Sequence, residues 1–250
     1  MVNAVLVDFW NTLFYSPAED LASLNEYRLN NLYQALVRYQ PKVSTADVVE
    51  GLRDTWTYIS QNRREQLVDV GLVGHARQIT NRVLGRNDVE AIAAVSQALT
   101  FPLERWVKPM PGAVEVIQSL HNSRYKLGLV SNTGLDPSPA VLRVLEYFKI
   151  NRCFDALVFS DEVGSLKPHP KIFFTALQKM GVKAEDALMV GDNINTDVTG
   201  AKLIGAKTVL FSDPVYHVPQ AFPEYEGEII APDAIIVELS ELFETLAAFD

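Results

Sequence analysis

Carboxylates follow two apolar runs that lie far apart in this sequence. Asp8 ends the first run in VLVDFWNTLF, and Thr12 comes four residues later. Asp192 is the second residue of the segment GDNINTD (191–197), which ends at Asp197. A carboxylate can act as a nucleophile and carry a covalent phosphoryl group. Mg²⁺ prefers a few hard oxygen ligands together with waters and the phosphate of a substrate. These acids are therefore of the type that metal-assisted phosphoryl transfer requires.

A hydroxyl, an amide and a lysine complete a possible phosphate site. Ser131 and Asn132 end the run KLGLVSN, and Lys167 lies in GSLKPHP. Such groups can hold phosphate oxygens and offset the charge that carboxylates would otherwise repel. Each polar residue alone could equally cap a turn or begin a helix, as could Asp161 after the next run. Their recurrence at the ends of several runs favours a common site.

The runs themselves predict a parallel sheet. They are short and nearly continuous, which is typical of strands buried on both faces. We predict strands at 4–9, 126–132, 156–160, 187–192, 207–212 and 234–237. From residue 107 onward, helical patterns alternate with these runs, and this order indicates right-handed crossovers. Ligands of such sheets bind beyond the carboxyl ends of the strands, where the polar residues lie.

Residues 16–105 follow a different pattern. Their apolar residues recur at helical spacing in four stretches, at 21–39, 46–72, 75–85 and 88–101. We therefore predict a bundle of roughly four helices, inserted between the first and second strands of the sheet. Pro109 and Pro111 mark the return to the sheet, because a proline disfavours helix in the residue before it.

The composition is that of an ordinary soluble globular protein. A formal net charge of −9 over 250 residues argues against a nucleic-acid partner and is compatible with a bound cation. Cys153 is the only cysteine, so it has no disulfide partner within the chain and is expected to be a buried apolar residue. We find no membrane-spanning run or signal peptide and expect a cytoplasmic protein without a membrane partner. Nothing in the pattern specifies an oligomeric state.

Four ordered motifs resemble those of the haloacid dehalogenase superfamily of hydrolases. They are DFWNTL, VSNTG, LKPHP and GDNINTDVTGAKLIG. The resemblance covers the whole chain and implies an α/β fold with a Rossmann-like parallel-sheet core, residues 1–15 and 106–250. The helical insertion, residues 16–105, is similar to the family's C1-type cap, a smaller all-helical domain that shapes substrate specificity. FYSPAED (14–20) would then form a mobile hairpin between core and cap.

The resemblance also implies roles for individual residues. Asp8 corresponds to the nucleophile, and Lys167 to a catalytic residue that also binds the transferring phosphate. The other phosphate-binding positions that it implies are Thr12, Ser131 and Asn132. The magnesium ligands that it implies are Asp8, the backbone carbonyl of Trp10, Asp192 and Asp197. The expected cofactor is Mg²⁺, and the expected partner is a small phosphorylated metabolite.

Trp10 departs from the pattern of most phosphatases in the superfamily. They carry a second aspartate there, which acts as general acid and then as general base. An indole N–H can donate a hydrogen bond but cannot exchange a proton during catalysis. General acid–base help contributes about 10²–10⁴ in rate. We therefore predict substrates with good leaving groups, such as acyl or aryl phosphates or anhydrides. The Trp10 ring packs against the cap, fills the volume left by a lost function, walls the site and excludes water, or stacks on a flat substrate.

Other chemistries remain as alternatives. The superfamily's 2-haloacid dehalogenases also carry an aromatic residue at this position, but their fourth motif lacks its first acid. The intact GDNINTD therefore favours Mg²⁺ and phosphate over halide release through an ester on Asp8. A phosphonatase would need a lysine in the cap, where only Lys42 occurs. A third alternative is a phosphate-binding module that has lost turnover with Trp10.

The helical insertion carries positive charge without a recognisable motif. Its arginines could grip an anionic substrate or simply form solvated helix faces. They include Arg53, Arg63, Arg64, Arg77 and Arg82.

Overall fold

The structure is a computed structural model that describes residues 1–214 and 230–249, apart from the side chains of residues 62–65. The strands are β1 (Ala4–Val7), β2 (Phe14–Tyr15), β3 (Lys108–Pro109), β4 (Lys126–Ser131), β5 (Ala156–Phe159), β6 (Ala187–Gly191), β7 (Lys207–Phe211) and β8 (Ala234–Ile236). The helices are α1 (Ala18–Leu36), α2 (Thr45–Glu65), α3 (Gly71–Leu84), α4 (Val89–Leu99), α5 (Ala113–His121), α6 (Ser138–Tyr147), α7 (Ser160–Val163), α8 (Pro170–Met180), α9 (Thr199–Leu203) and α10 (Leu242–Ala248).

Six of these strands form one parallel sheet in the order β5-β4-β1-β6-β7-β8. The predicted α/β fold is thus confirmed, and every run expected to be a strand forms one. The chain runs outward from β1 through β4 to β5, then returns to place β6 on the other side of β1. The strand order therefore reverses beside β1, and such a reversal opens a crevice at the carboxyl ends of the strands.

Both faces of the sheet are buried. In β1, Val5 and Val7 belong to one hydrophobic cluster, whereas Ala4 and Leu6 belong to another. Successive side chains of a strand point to opposite faces, so these clusters lie on opposite sides of the sheet. Burial on both sides explains why the strands read as continuous apolar runs rather than alternating ones.

Helices α1 to α4 lie between β2 and β3 in the chain and bury a hydrophobic cluster that they share with Leu135. The continuous helical pattern at 46–72 is divided in the structure, because α2 ends at Glu65 and α3 begins at Gly71. Leu67 and Gly71 have positive φ angles of 53° and 70°, which a helix does not allow. A Cβ on Gly71 would lie 2.9 Å from the carbonyl oxygen of Asp161, so glycine permits the start of α3 to approach α7 closely. We call residues 66–70 the α2–α3 linker.

The expected hairpin at 14–20 is wrong in detail. Phe14 and Tyr15 form β2, but β2 pairs antiparallel with β3, which is more than ninety residues away in the sequence. Helix α1 begins already at Ala18. The two chain crossings between sheet and helical bundle thus pair with each other, which a local pattern does not reveal. Across residues 1–214 and 230–249, no helix combines the length and apolar character needed to span a membrane.

Helix α6 lies outside the helical patterns that the sequence shows after residue 107, which are at 112–123, 169–181, 196–206 and 237–249. It follows Pro137, and Pro139 lies in its first turn. Proline is tolerated in the first turn of a helix, where its missing N–H would lack a partner in any case. The DPSP sequence nevertheless has the composition of a turn, which conceals the start of the helix.

Candidate active site

The carboxyl ends of the three central strands bring the predicted polar residues together. Asp8 is the first residue after β1, Ser131 ends β4, and Asp192 is the first residue after β6. Because β1 lies between β4 and β6, these residues occupy adjacent positions at one edge of the sheet. Asp8 and Ser131 are buried, whereas Asp192 is partly exposed. The crevice therefore has a buried floor with one acid nearer to solvent.

Lys167 connects two of the carboxylates. Its Nζ donates hydrogen bonds to Asp8 Oδ1, to Asp197 Oδ1 at 2.7 Å and to the Val130 carbonyl at 2.8 Å. The lysine side chain is only 2% exposed. Burial by itself lowers the pKa of Lys167, but the charges of Asp197 and Asp8 outweigh burial and hold the pKa above its usual value. Lys167 is therefore a fixed cation on the floor of the crevice.

Asp8, Asp192 and Asp197 form a cluster of possible metal ligands. One carboxylate oxygen of each lies within 4.8 Å of the others. Burial raises the pKa of Asp197 to about 7, although the charge of Lys167 opposes this shift. The positive charge of Lys167 therefore does not fully offset the cost of burying the ionised Asp197 carboxylate. Three hard oxygen ligands with excess negative charge fit a divalent cation such as Mg²⁺.

Gly191, at the end of β6, makes room for Asp197. A Cβ on this glycine would lie 2.3 Å from the carboxyl group of Asp197, far inside contact distance. The requirement is steric rather than conformational, because Gly191 is not among the residues with positive φ. Gly191 is therefore required for the Asp197 carboxylate to reach the crevice.

Asn193 shapes the loop that carries the acids, a role that sequence reasoning missed. Its side-chain oxygen accepts hydrogen bonds from the backbone N–H groups of Asn195 and Thr196. Its own N–H donates to Asp197 Oδ2 at 3.1 Å. It thereby caps a π-helical turn, Ile194–Val198, which precedes α9. An asparagine directly before a predicted helix is a capping signal that could have identified it. Asp197 lies in this first turn and in the carboxylate cluster at once.

The three predicted phosphate-binding residues besides Lys167 differ in their contacts. Thr12 is fully buried and its hydroxyl donates to Asp8 Oδ2 at 3.3 Å. Asn132 exchanges two hydrogen bonds with the backbone of Lys167 and so joins the loop after β4 to the loop that carries Lys167. The Ser131 hydroxyl is buried and has no hydrogen-bond partner within the described residues. An unpaired buried hydroxyl at this position suits a group that binds an oxygen of a ligand.

Trp10 is partly buried and packs against the main hydrophobic cluster of the core. Its ring meets the ring of Phe9 edge-to-face, with centroids 5.0 Å apart. Its backbone forms an isolated bridge with Phe14. These contacts support packing as the role of Trp10, but its ring partner is Phe9 of the core rather than a residue of the helical insertion. Trp10, beside the crevice, has no group that can transfer a proton during catalysis.

Several other candidates are exposed or make their contacts elsewhere. Asp161 accepts a hydrogen bond from the backbone N–H of Ser138, at the start of α6, and is not part of the carboxylate cluster. Arg53 and Arg77 are exposed, and Arg82 pairs with acids of α2 on the surface of the bundle. The side chains of Arg63 and Arg64 lie outside the described part of the chain. Cys153 is buried, as expected, and burial raises the pKa of its thiol.

A basic residue that the sequence did not indicate is Arg28, in α1. It is buried, and its guanidinium donates to Asp136 of the core at 2.6 Å. An arginine on a helix looks solvated by pattern alone. Its partner lies more than a hundred residues away, so no local signal predicts the pair.

Comparison with known proteins links this geometry to one family. A family model described as haloacid dehalogenase-like hydrolase matches residues 2–205. The glyceraldehyde 3-phosphate phosphatase of Pyrococcus furiosus is 34% identical over 142 residues, which cover 56% of this chain and 55% of that protein. The chain thus spans about half the length of this relative. The pyrophosphatase PpaX of Bacillus cereus is 28% identical over 207 residues, which cover 81% of this chain and 83% of that protein.

Solved structures share the fold. The 2-haloacid dehalogenase from Pseudomonas syringae pv. tomato superposes with a TM-score of 0.70 and covers 100% of both chains, at 20% identity. At this level of identity the likeness concerns the fold alone. The matched region includes residues 16–105, since the whole chain is covered.

Proposed function

Because the chain belongs to the haloacid dehalogenase-like hydrolases, we propose that it is a Mg²⁺-dependent phosphatase that works through a phosphoryl group on Asp8. The observation that carries this proposal is the geometry around Lys167. One buried lysine bonds Asp8 and Asp197, and Asp192 completes a trio of carboxylates. This combination can hold both a cation and a phosphate beside a carboxylate nucleophile.

In the first step, an oxygen of Asp8 attacks phosphorus, and the bond from phosphorus to the leaving oxygen breaks. Lys167 and Thr12 already bond one oxygen each of the carboxylate, so its orientation is fixed before the substrate arrives. In the second step, water attacks the phosphorus of the phosphoryl group on Asp8. The bond between phosphorus and the Asp8 oxygen breaks, inorganic phosphate leaves, the proton lost by the water passes to solvent, and the Asp8 carboxylate is restored.

The phosphate oxygens would be bound by groups of two loops. The Ser131 hydroxyl is available to donate, and Lys167 supplies positive charge. Asn132 keeps the two loops at a fixed separation through its bonds to the Lys167 backbone. Asp8, Asp192, Asp197 and the carbonyl of Trp10 would hold Mg²⁺, which when bound neutralises charge on the phosphate oxygens.

Trp10 limits the choice of substrate. Without a carboxylic acid at this position, the leaving oxygen departs without protonation by the usual residue. A pyrophosphatase, as the Bacillus relative is named, cleaves an anhydride, whose leaving group is good. The Pyrococcus relative is named for a sugar-type phosphate ester, whose alkoxide leaving group is poor. We therefore propose anhydrides and acyl or aryl phosphates as the substrate class.

The proposed domain arrangement follows the same family. Residues 1–15 and 106–250 form the catalytic core, and residues 16–105 form a cap over the crevice. The cap would choose among small phosphorylated metabolites. The hydrophobic cluster shared by α1 to α4 supports a bundle that moves as one unit.

A substrate screen tests the proposal. The purified protein and its Asp8→Asn variant are incubated with pyrophosphate, acetyl phosphate, an aryl phosphate and a set of sugar phosphates, each in Mg²⁺ and in chelator. We expect phosphate release from the first three substrates, in Mg²⁺ only and from the wild type only. Equal release in chelator would contradict the metal requirement.

Two outcomes would favour the alternatives. Chloride release from a 2-haloacid in chelator would indicate the dehalogenase chemistry. Phosphate binding without any turnover would indicate a binding module, for which the replacement of an acid by Trp10 is the supporting observation.

A further inference from the structure

A second cluster of buried polar groups lies between the helical bundle and the core. Asp69, in the α2–α3 linker, is 7% exposed. Its Oδ2 accepts hydrogen bonds from the Ser160 hydroxyl at 2.6 Å and from the Thr133 hydroxyl at 3.4 Å. Ser160 directly follows β5, and Thr133 follows β4. A carboxylate of the cap is therefore bonded to the ends of two core strands.

Ser160 also bonds the backbone of residues 131–134, which we call the phosphate loop. Its hydroxyl oxygen accepts a hydrogen bond from the backbone N–H of Thr133 at 2.9 Å. A serine hydroxyl can donate to one partner and accept from another at the same time. The chain of bonds therefore runs from Asp69 through Ser160 to a peptide group two residues after Ser131.

The carboxylate of Asp69 is fixed on its own side as well. Its Oδ1 accepts from the backbone N–H of Gly71 at 2.9 Å and lies 3.8 Å from His75 Nε2. Gly71 and His75 belong to α3, and His75 is buried. Each oxygen of Asp69 thus has two partners. Those of Oδ1 lie in α3 of the cap, and those of Oδ2 follow strands β4 and β5 of the core.

The same linker also contacts the loop that carries Lys167. The backbone N–H of Leu166 donates to the carbonyl of Leu67 at 2.9 Å. Leu166 directly precedes Lys167, whose backbone is bonded to Asn132. The linker therefore touches both loops that carry the proposed phosphate-binding groups.

We propose that Asp69 is a positioning residue for phosphate binding. Through Ser160 it fixes the backbone that presents Ser131, and this inference rests on the proposed phosphatase function. The Ser131 hydroxyl makes no hydrogen bond within the described residues, so its position depends on the backbone that carries it. Closing the cap then completes the phosphate site, because the bond from Asp69 exists only when the linker lies against the core.

Docking of the cap does not depend on Asp69 alone. Arg28 and Asp136 form a separate ion pair of 2.6 Å between α1 and the core. A role restricted to holding the cap would thus be shared with this pair. A role in aligning the phosphate loop belongs to Asp69 and Ser160.

The test compares Asp69→Asn and Ser160→Ala with the control Asp88→Asn. Asp88 caps α4 by accepting from the backbone N–H of Ala91 at 3.1 Å, within the bundle. Asparagine serves about as well as aspartate in a helix cap, so the control should change little. In Asp69→Asn, one carboxylate oxygen becomes an NH₂ group, which cannot accept a hydrogen bond. This group faces either the N–H of Gly71 or the hydroxyls of Ser160 and Thr133. Should Asp69→Asn fold poorly, Ser160→Ala removes the same link by deleting one hydroxyl.

Hydrogen–deuterium exchange is the first measurement, because it needs neither ligand nor turnover. We expect peptides covering 131–134 to exchange about tenfold faster in both variants, as the loss of about one buried hydrogen bond predicts. Peptides of β1 and β6 should exchange as in the wild type. Unchanged exchange at 131–134 in both variants would overturn the proposal.

Kinetics with an aryl phosphate in Mg²⁺ is the second measurement. Loss of an interaction that binds ground state and transition state alike raises KM with little change in kcat. We expect KM to rise about tenfold in both variants and to stay constant in the control. Faster exchange at 131–134 with an unchanged KM would show a structural role only. If the wild type turns over no substrate, the proposed function fails. The positioning role of Asp69 would still be supported if inorganic phosphate and Mg²⁺ slow the exchange of residues 131–134 in the wild type but not in either variant.

Discussion

Replacing Lys167 by methionine tests whether the crevice is built around charge that a cation must balance. The Lys167 ammonium is 2% exposed and bonds two carboxylates, Asp8 and Asp197, together with one carbonyl. Methionine keeps most of the side-chain volume but removes the positive charge. The variant therefore places two buried carboxylates together without a cation of their own.

The size of the effect follows from this burial. Removing one partner of a buried ion pair costs about 3–5 kcal/mol. In a chain of this size about 1 kcal/mol lowers Tm by roughly 2–4 °C, so we expect Lys167→Met to lower Tm by roughly 6–20 °C in chelator. At an effective dielectric constant of about 20, two unit charges about 5 Å apart repel each other by about 3 kcal/mol, and Lys167→Met removes a repulsion of this kind from any cation that the carboxylates hold. The variant should therefore bind Mg²⁺ at least about tenfold more tightly than the wild type.

The assay is thermal unfolding in chelator and across a Mg²⁺ titration. Binding to the native state stabilises it in proportion to the logarithm of ligand concentration over Kd, so Mg²⁺ should raise the Tm of Lys167→Met more than that of the wild type. Lys202→Met is the matched control, because Lys202 pairs with Asp233 at 2.7 Å outside the crevice and is partly exposed. Its loss should cost about 1 kcal/mol or less and should not respond to Mg²⁺. An equal Tm deficit of Lys167→Met with and without Mg²⁺ would refute the reasoning.

Three further predictions concern the same crevice. Gly191→Ala should displace the Asp197 carboxylate and weaken Mg²⁺ binding by about tenfold or more, as titration calorimetry can show. The control Gly51→Ala in α2 would instead meet the Val83 side chain of α3, so Mg²⁺ binding should stay unchanged. Burial raises the pKa of Asp197 to about 7, so between about pH 4 and pH 7 the native state holds a proton that the unfolded state has lost. In chelator Tm should therefore fall as pH rises through this interval, and Asp197→Asn should remove that slope; a wild-type Tm that rises instead would contradict the assignment. Ser131→Ala should leave the free energy of unfolding within about 0.5 kcal/mol of the wild type but raise the Kd for inorganic phosphate about tenfold, because its hydroxyl has no partner to lose among the described residues.

The sequence predicts the sheet well because strands buried on both faces leave a strong local pattern. Runs such as AVLVDF and KLGLVSN gave the strands to within one or two residues at their ends. The order of polar residues at those ends then predicted which side chains meet. Asp8, Lys167 and Asp197 are separated by long stretches of chain, yet parallel topology brings them into hydrogen-bond contact.

What the sequence did not predict depends on contacts without a local signal. The pairing of β2 with β3 joins two-residue strands, which are too short to form a pattern. The division between α2 and α3 results from backbone angles at Leu67 and Gly71 and from docking against the core. Asp69 looked like one more acid within the helical pattern at 46–72, and only the fold brings Ser160 to it.

The most direct test of the central proposal is to trap the covalent intermediate. The protein is mixed with acetyl phosphate or an aryl phosphate, quenched in acid within the first turnovers, and digested for mass spectrometry. We predict a phosphoryl group on the peptide that contains Asp8, formed in Mg²⁺, absent in chelator and absent from Asp8→Asn. Turnover of the substrate with no phosphoryl group on that peptide, or an ester on Asp8 formed from a 2-haloacid in chelator, would contradict the proposed function.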